Sequence, residues 1–133
     1  MDQVVARDLK RILSDQPGIK AAFLFGSAST GEMRIDSDID VAVWMEEPLD
    51  SQEAIELINK ISATCLRPVD LIDLRQTDPI LLKEILGSGV PVVTPPDDVL
   101  ENLLQIVVRN EADFLPLLRV ARRERVEAFA SER

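Results

Sequence analysis

Two short segments with the pattern of β-strands lie close together near the start of the chain. The first, Ile19–Phe25, is almost wholly apolar and ends at Gly26, as expected for a buried strand followed by a sharp turn. The second, residues 37–44, alternates so that Asp38 and Asp40 share one side of a strand. Because only about a dozen residues connect the two segments, we predict an antiparallel pair.

Helical and strand patterns alternate along most of the remaining chain. Apolar residues at helical spacing predict a first helix over residues 3–14. Asp50 with Glu53 has the pattern of a capping box, and Asp78 followed by proline is typical of a helix start. These signals predict further helices from Asp50 to Cys65 and over residues 78–86, and further strands over residues 67–74 and 90–93. The prediction is an α/β (α+β) domain with a mixed or antiparallel sheet of about four strands flanked by helices.

The pair Pro95-Pro96 separates this sheet-forming part from a segment without strand patterns. We therefore divide the chain into a domain over residues 1–95 and a C-terminal helical extension over residues 96–133. Within the extension, four apolar residues at helical spacing predict one stripe: Leu100, Leu103, Leu104 and Val107. This extension is expected to pack on the core or on a partner.

Composition excludes several classes of function. The chain has 133 residues with 46% apolar and 29% charged side chains, a globular composition. It has no histidine, which excludes histidine-based triads and histidine metal ligands. A net charge of −9 argues against non-specific DNA binding through phosphates. The single cysteine, Cys65, lies on an apolar helix stripe and is expected in the core; no membrane span is expected, and a cytoplasmic location is the simplest expectation.

The segment from Gly26 to Asp40 combines two chemical features. Gly26 and Ser27 can form a turn whose amides and hydroxyl face an anion such as a phosphate. Asp38 and Asp40, two residues apart on one strand face, can share a hard cation such as Mg²⁺. Together they suit metal-assisted phosphoryl or nucleotidyl transfer. The alternative is a plain turn followed by two solvated aspartates.

The spacing Gly-Ser-x10-Asp-x-Asp resembles the signature of the DNA polymerase beta-like nucleotidyltransferase superfamily. Residues 34–40 and 69–74 resemble its minimal nucleotidyltransferase (MNT) branch. The resemblance implies the nucleotidyltransferase fold, Asp38 and Asp40 as ligands of one or two Mg²⁺ ions, and Gly26 and Ser27 in contact with the triphosphate of a nucleotide such as ATP. It also implies a third carboxylate on a neighbouring strand, which binds metal and can act as a base.

Two aspartates are candidates for the third carboxylate. Asp70 and Asp73 lie on opposite faces of the predicted third strand, since their separation is odd. A carboxylate inside an apolar run is costly unless it is paired or metal-bound, which favours Asp70, whereas Asp73 fits a turn at the strand end. Arg34 can contact a phosphate or pair with Asp36, and both interpretations stay open.

The chain leaves little room for an acceptor-binding domain. Free-standing MNT proteins resemble the MntA-type antitoxins that are paired with HEPN-type ribonuclease toxins. That resemblance implies transfer of AMP from ATP to a tyrosine of the toxin, which neutralises it. Two alternatives are a non-catalytic antitoxin that acts by contact and a transferase for a small molecule such as an aminoglycoside. The protein is expected in a heteromeric complex or as a homo-oligomer. The arginines near the C-terminus form either a solvated helix face or a partner contact.

Overall fold

The computed structural model describes residues 3–26 and 38–109, and these form a single sheet with helices on both faces. The helices are α1 (Gln3–Ser14), α2 (Ser51–Cys65), α3 (Pro79–Ser88) and α4 (Asp97–Arg109). The strands are β1 (Ile19–Phe25), β2 (Ile39–Met45), β3 (Val69–Asp73) and β4 (Val90–Val93). None of the helices in these ranges is long and apolar enough to cross a bilayer.

The sheet has the strand order β3-β2-β1-β4 and is mixed. The strand β1 is antiparallel to β2 and to β4, which confirms the antiparallel pair expected from the two neighbouring segments. The strands β2 and β3 are parallel, and α2 provides the crossover between them. The parallel pairing places the starts of β2 and β3 side by side at one end of the sheet and their last residues side by side at the other.

The two faces of the sheet carry separate apolar cores. On one face, β-strand side chains pack against α1 and α2, with Leu9 and Ile61 fully buried. On the other face, they pack against α3 and α4, with Leu82 and Leu103 fully buried. Each of these helices has an apolar side that packs on the sheet, and the sheet is the surface on which that side is removed from water.

The alternation predicted for β2 is confirmed. Ile39, Val41 and Val43 belong to the core with α1 and α2, whereas Ala42 and Trp44 belong to the core with α3 and α4. Asp40 therefore lies on the face of Ala42 and Trp44, at the end of the sheet where that core stops.

The helix α4 packs on the domain along only part of the stripe that its sequence indicates. Val99 and Leu103 are buried against α3, whereas Leu100 and Leu104 remain 36% and 47% exposed. Residues four apart lie on one line along a helix, so the buried line runs through Val99, Leu103 and Val107 and leaves the other two leucines beside it. The predicted stripe is therefore confirmed at Leu103 and Val107 and wrong at Leu100 and Leu104.

Candidate active site

Three aspartates lie where β2 and β3 begin. Asp38 is exposed and directly precedes β2, and Asp40 is the second residue of that strand. Asp70 is the second residue of β3 and pairs in register with Asp40. Neighbouring strands lie about 4.8 Å apart, so paired residues in register place their side chains next to each other on one face. The parallel register therefore places Asp70 beside Asp40, and Asp38 lies two residues before Asp40 in the sequence.

Gly26 brings the backbone at the end of β1 against this group. Phe25 is the residue opposite Asp40 in the antiparallel pair, and Gly26 follows it with φ +71°. A Cβ atom added at Gly26 would overlap the Asp40 Oδ2 atom. Two requirements therefore select glycine here: the left-handed backbone and the close approach to a carboxylate.

The electrostatics of the site centre on Asp40. Partial burial raises the pKa of its carboxyl above the usual 3.8, and the negative charges of Asp70 and Asp38 raise it further. Burial and like charges both disfavour the ionised form. A bound cation would act in the opposite direction, because it stabilises all three carboxylates in their charged form.

Carboxylate oxygens are the type of ligand that a hard cation such as Mg²⁺ prefers. Within the described residues, no three Asp, Glu or Cys side chains lie close enough together to hold a metal ion by themselves. Mg²⁺ takes one or two carboxylates and completes its shell with water and substrate phosphates. Asp38 and Asp40 supply such oxygen ligands, and the Gly26 backbone lies directly against the Asp40 carboxylate.

The sequence favoured Asp70 as the third carboxylate because it was expected to be buried, and that reason was wrong. The position of Asp70 in the sheet nevertheless supports the same choice. The sequence suggested a carboxylate inside an apolar strand, but Asp70 is exposed because β3 lies at the edge of the sheet. Its pairing with Asp40, rather than a buried position, is what connects it to the site. Ser27, Arg34 and Asp36 lie outside the described residues, so the phosphate contacts expected of Ser27 and Arg34 stay predictions.

Asp73 lies away from this group and has a structural partner. It is the last residue of β3, on the face of Val69 and Leu71, and its Oδ1 accepts a hydrogen bond from the Arg75 backbone N–H at 2.9 Å. This is the turn carboxylate that the sequence offered as the alternative interpretation. Cys65 is half-buried against the core of α1 and α2, in agreement with its predicted core position.

A cavity of about 390 Å³ lies at the opposite end of β3 from the carboxylates. It is lined by the first turn of α2, the end of β3 and the start of α3, including Asp50, Asp73 and Asp78. Asp50 and Asp78 accept hydrogen bonds from the backbone N–H groups of Glu53 and Ile80, both at 2.8 Å. Helix capping thus accounts for these two acidic side chains.

The chain is similar to known proteins in sequence and in fold. A family model described as Polymerase beta, Nucleotidyltransferase matches residues 7–98, which is more than half of the chain. The matched range includes Gly26 and the three aspartates at the start of β2 and β3.

One curated relative is the protein adenylyltransferase MntA of Shewanella oneidensis, to which the chain is 33% identical over 90 residues. This match covers 67% of the chain and 65% of the relative, so the chain matches slightly less than two thirds of that relative's length.

Solved structures share the fold. A toxin–antitoxin crystal structure with AMP-PNP has a TM-score of 0.65 at 25% identity, and the match covers 94% of this chain and 98% of that one. A structure of a tri-AMPylated Shewanella oneidensis HEPN toxin in complex with MNT antitoxin matches with a TM-score of 0.64 at 24% identity, over 98% of this chain and 99% of that one. At such identities the second match speaks for the fold alone.

Proposed function

This chain belongs to the Polymerase beta nucleotidyltransferase family, and from that premise we propose that it transfers AMP from ATP to a tyrosine of a HEPN-type ribonuclease toxin and so neutralises the toxin. The observation that carries the proposal is the group formed by Asp38, Asp40 and Asp70 beside Gly26. A protein acceptor is supported by the similarity to an enzyme named protein adenylyltransferase. It is also supported by the similarity to a toxin–antitoxin structure that contains an ATP analogue.

Each residue of the site is proposed to have a separate role in the reaction. Asp38 and Asp40 would hold one or two Mg²⁺ ions, and Asp70 would be the third ligand. When bound, Mg²⁺ supplies charge stabilisation at the α-phosphate and the leaving pyrophosphate. Gly26 is proposed to contact the triphosphate through its backbone, which lies against Asp40 because glycine has no side chain. Ser27 and Arg34 are proposed to bind phosphate oxygens.

The transfer step forms one bond and breaks one. The oxygen of the tyrosine hydroxyl attacks the α-phosphorus of ATP, the bond to the β-phosphate breaks, and pyrophosphate leaves. Asp70 accepts the hydroxyl proton, since it is exposed and next to Asp40 and can therefore reach an incoming group. AMP remains on the tyrosine oxygen.

The proposal extends to the organisation of the chain. Residues 1–95 form the nucleotidyltransferase domain, and residues 96–133 form an extension that packs on it and contributes to toxin binding. The first part of this extension, α4, packs on α3. A heteromeric complex with the toxin in the cytoplasm, where ATP is available, is the proposed working state.

The test is direct labelling of the toxin. The chain is incubated with ATP labelled at the α-phosphate, Mg²⁺ and the protein encoded beside its gene, which is expected to be a HEPN-type protein, and the labelled residue is identified by mass spectrometry. We expect one or more AMP groups on tyrosine, and none with the double variant Asp38→Asn/Asp40→Asn. Absence of label with the wild-type chain would contradict the proposal. If the double variant does not label the toxin but still neutralises it in cells, action by contact alone would be favoured.

A further inference from the structure

Leu66, the residue that ends α2, has a left-handed backbone conformation and an apolar side chain exposed to solvent. Leu66 caps the helix with φ 56° and ψ 39°, and its N–H donates to the Ser62 carbonyl at 2.8 Å. Among the described residues, it is the only one other than glycine with a positive φ. This helix-ending conformation is normally occupied by glycine or asparagine, because a Cβ atom is crowded there.

The Leu66 side chain gains little from the fold. It is 84% exposed, the highest value among the exposed large apolar side chains of the described ranges. Single exposed apolar residues are common on protein surfaces. Leu66 differs from them because its backbone would also be more stable with another residue, so neither capping nor core packing explains a leucine.

The position of Leu66 connects it to the active site. Two residues later, the Pro68 carbonyl accepts a hydrogen bond from the Ile39 N–H at 2.9 Å. Ile39 follows Asp38 and pairs with Val69, which precedes Asp70. The segment from Leu66 to Pro68 therefore lies at the end of the sheet where the three carboxylates are.

We propose that Leu66 is a docking contact for the protein acceptor and inserts into an apolar depression next to the hydroxyl that receives the nucleotide. This inference rests on the proposed function. A protein is the occupant that the chemistry favours, because neither a triphosphate nor a polar small molecule such as an aminoglycoside gains from contact with an exposed leucine. A protein surface does gain, since burial of a leucine side chain removes apolar area from water. The strained backbone holds the side chain outward.

The test compares Leu66→Gly and Leu66→Asn with the wild-type chain. Both substitutions suit the left-handed backbone, so each variant is expected to melt at the wild-type temperature or about 2–5 °C above it. Both should raise the KM for the HEPN protein about tenfold and leave kcat unchanged, because the lost contact contributes to binding equally before and during the reaction. Binding of Mg²⁺·ATP in the absence of acceptor should not change.

Ile80→Asn is the matched control. Ile80 is 80% exposed and lies in the first turn of α3, which begins after the far end of β3. Its substitution should leave the KM for the acceptor unchanged. Variants at Leu66 that label the acceptor with wild-type kinetics would overturn the docking role while leaving the proposed function intact. A lower melting temperature for Leu66→Gly would overturn the claim that the leucine is unfavourable for the fold. No labelling by the wild-type chain would instead count against the proposed function itself.

Discussion

The charged side chains at the two ends of the β2–β3 pair have opposite surroundings. The near end is the one where both strands begin, with Asp40 and Asp70, and the far end is the one where they finish, with Met45 and Asp73. At the far end, the Arg75 guanidinium lies 4.2 Å from the centre of the Trp44 ring and donates to the Met45 carbonyl at 2.8 Å. Asp73 accepts from the Arg75 N–H there, and the Asp73 carbonyl accepts from the Thr77 hydroxyl at 2.8 Å. Every one of these contacts stabilises the strand ends and the turn that follows them.

At the near end, the charges oppose one another. The pKa of Asp40 is raised by burial and by the charges of Asp70 and Asp38. Gly26 increases the crowding, because its backbone lies against the same carboxylate. A fold has no need to gather like charges in this way, so the cost points to a ligand that offsets it. The contrast separates side chains that serve stability from side chains that serve chemistry, and the following substitutions test it.

The largest effect is expected at the near end. Asp40→Asn should lower AMP transfer by about 10³-fold, because the loss of a metal ligand removes several kcal/mol of charge stabilisation. The same variant should melt above the wild-type chain at neutral pH in the absence of Mg²⁺, since repulsion and desolvation of the charge are both removed. Asp73→Asn, at the far end, should keep the wild-type transfer rate.

The pH dependence of this gain follows from the sign of the Asp40 shift. A raised folded-state pKa means that Asp40 favours folding most when it is protonated, and this contribution is lost as the pH rises through the raised value. The difference in melting temperature between Asp40→Asn and the wild-type chain should therefore shrink as the pH falls toward 3.8. A constant difference across this range would contradict the electrostatic explanation.

Gly26→Ala is expected to damage both stability and activity. The added methyl group would overlap the Asp40 carboxylate, and the left-handed backbone would cost about 1–2 kcal/mol. Urea unfolding should show this loss, and AMP transfer should fall with it. Gly87→Ala is the control: a Cβ atom there meets nothing within 4 Å, and its position in α3 predicts a gain of about 0.5–1 kcal/mol. If Gly26→Ala and Gly87→Ala had the same stability in urea and the same rate of AMP transfer, the special role of Gly26 would be contradicted.

Arg75→Ala should affect stability alone. It removes the stacking on Trp44 and the hydrogen bonds to the Met45 and Glu46 carbonyls, a loss of about 1–2 kcal/mol in the free energy of unfolding. Arg75→Lys keeps the positive charge but loses the planar guanidinium. Its free energy of unfolding should lie between those of the wild-type chain and Arg75→Ala. Loss of transfer at temperatures where the variant is folded would show that the two ends are not independent.

The smallest expected effect concerns Asp50, which caps α2 at the far end. Its pKa is lowered because the carboxylate accepts the Glu53 N–H, so its contribution to stability is present above about pH 3.8 and is lost as the pH falls through the lowered value. Asp50→Asn keeps an acceptor and should match the wild-type melting temperature at neutral pH, with a weaker loss in acid. Asp50→Ala should melt about 3 °C lower at neutral pH. Identical acid profiles for the wild-type chain and Asp50→Asn would contradict this assignment.

The sequence predicted features that depend on local periodicity better than features that depend on neighbouring elements. Alternation in β2 and the short connection after β1 were sufficient to predict the antiparallel pair and the shared face of Asp40, Ala42 and Trp44. Those features depend on local periodicity, which a sequence displays directly.

Features that depend on neighbours could not be predicted in the same way. An apolar run such as Val69–Asp73 has the same pattern in a central strand and in an edge strand, so the exposure of Asp70 required the strand order. The third strand is also shorter than the predicted 67–74, since Leu66 ends the helix in a left-handed conformation and Asp73 begins a turn. Likewise, the apolar residues of α4 alone do not say which line faces α3, and Leu100 and Leu104 are exposed.

The central claim is that the group of Asp38, Asp40 and Asp70 is a cation-dependent nucleotide site. The most direct measurement is the melting temperature of the wild-type chain and of Asp40→Asn with and without Mg²⁺·ATP. Ligands that bind only the folded state raise the melting temperature. We predict a rise for the wild-type chain with Mg²⁺·ATP, a smaller rise with ATP and a chelator, and no rise for Asp40→Asn. Equal rises for both proteins would show that the nucleotide binds elsewhere and would contradict the claim.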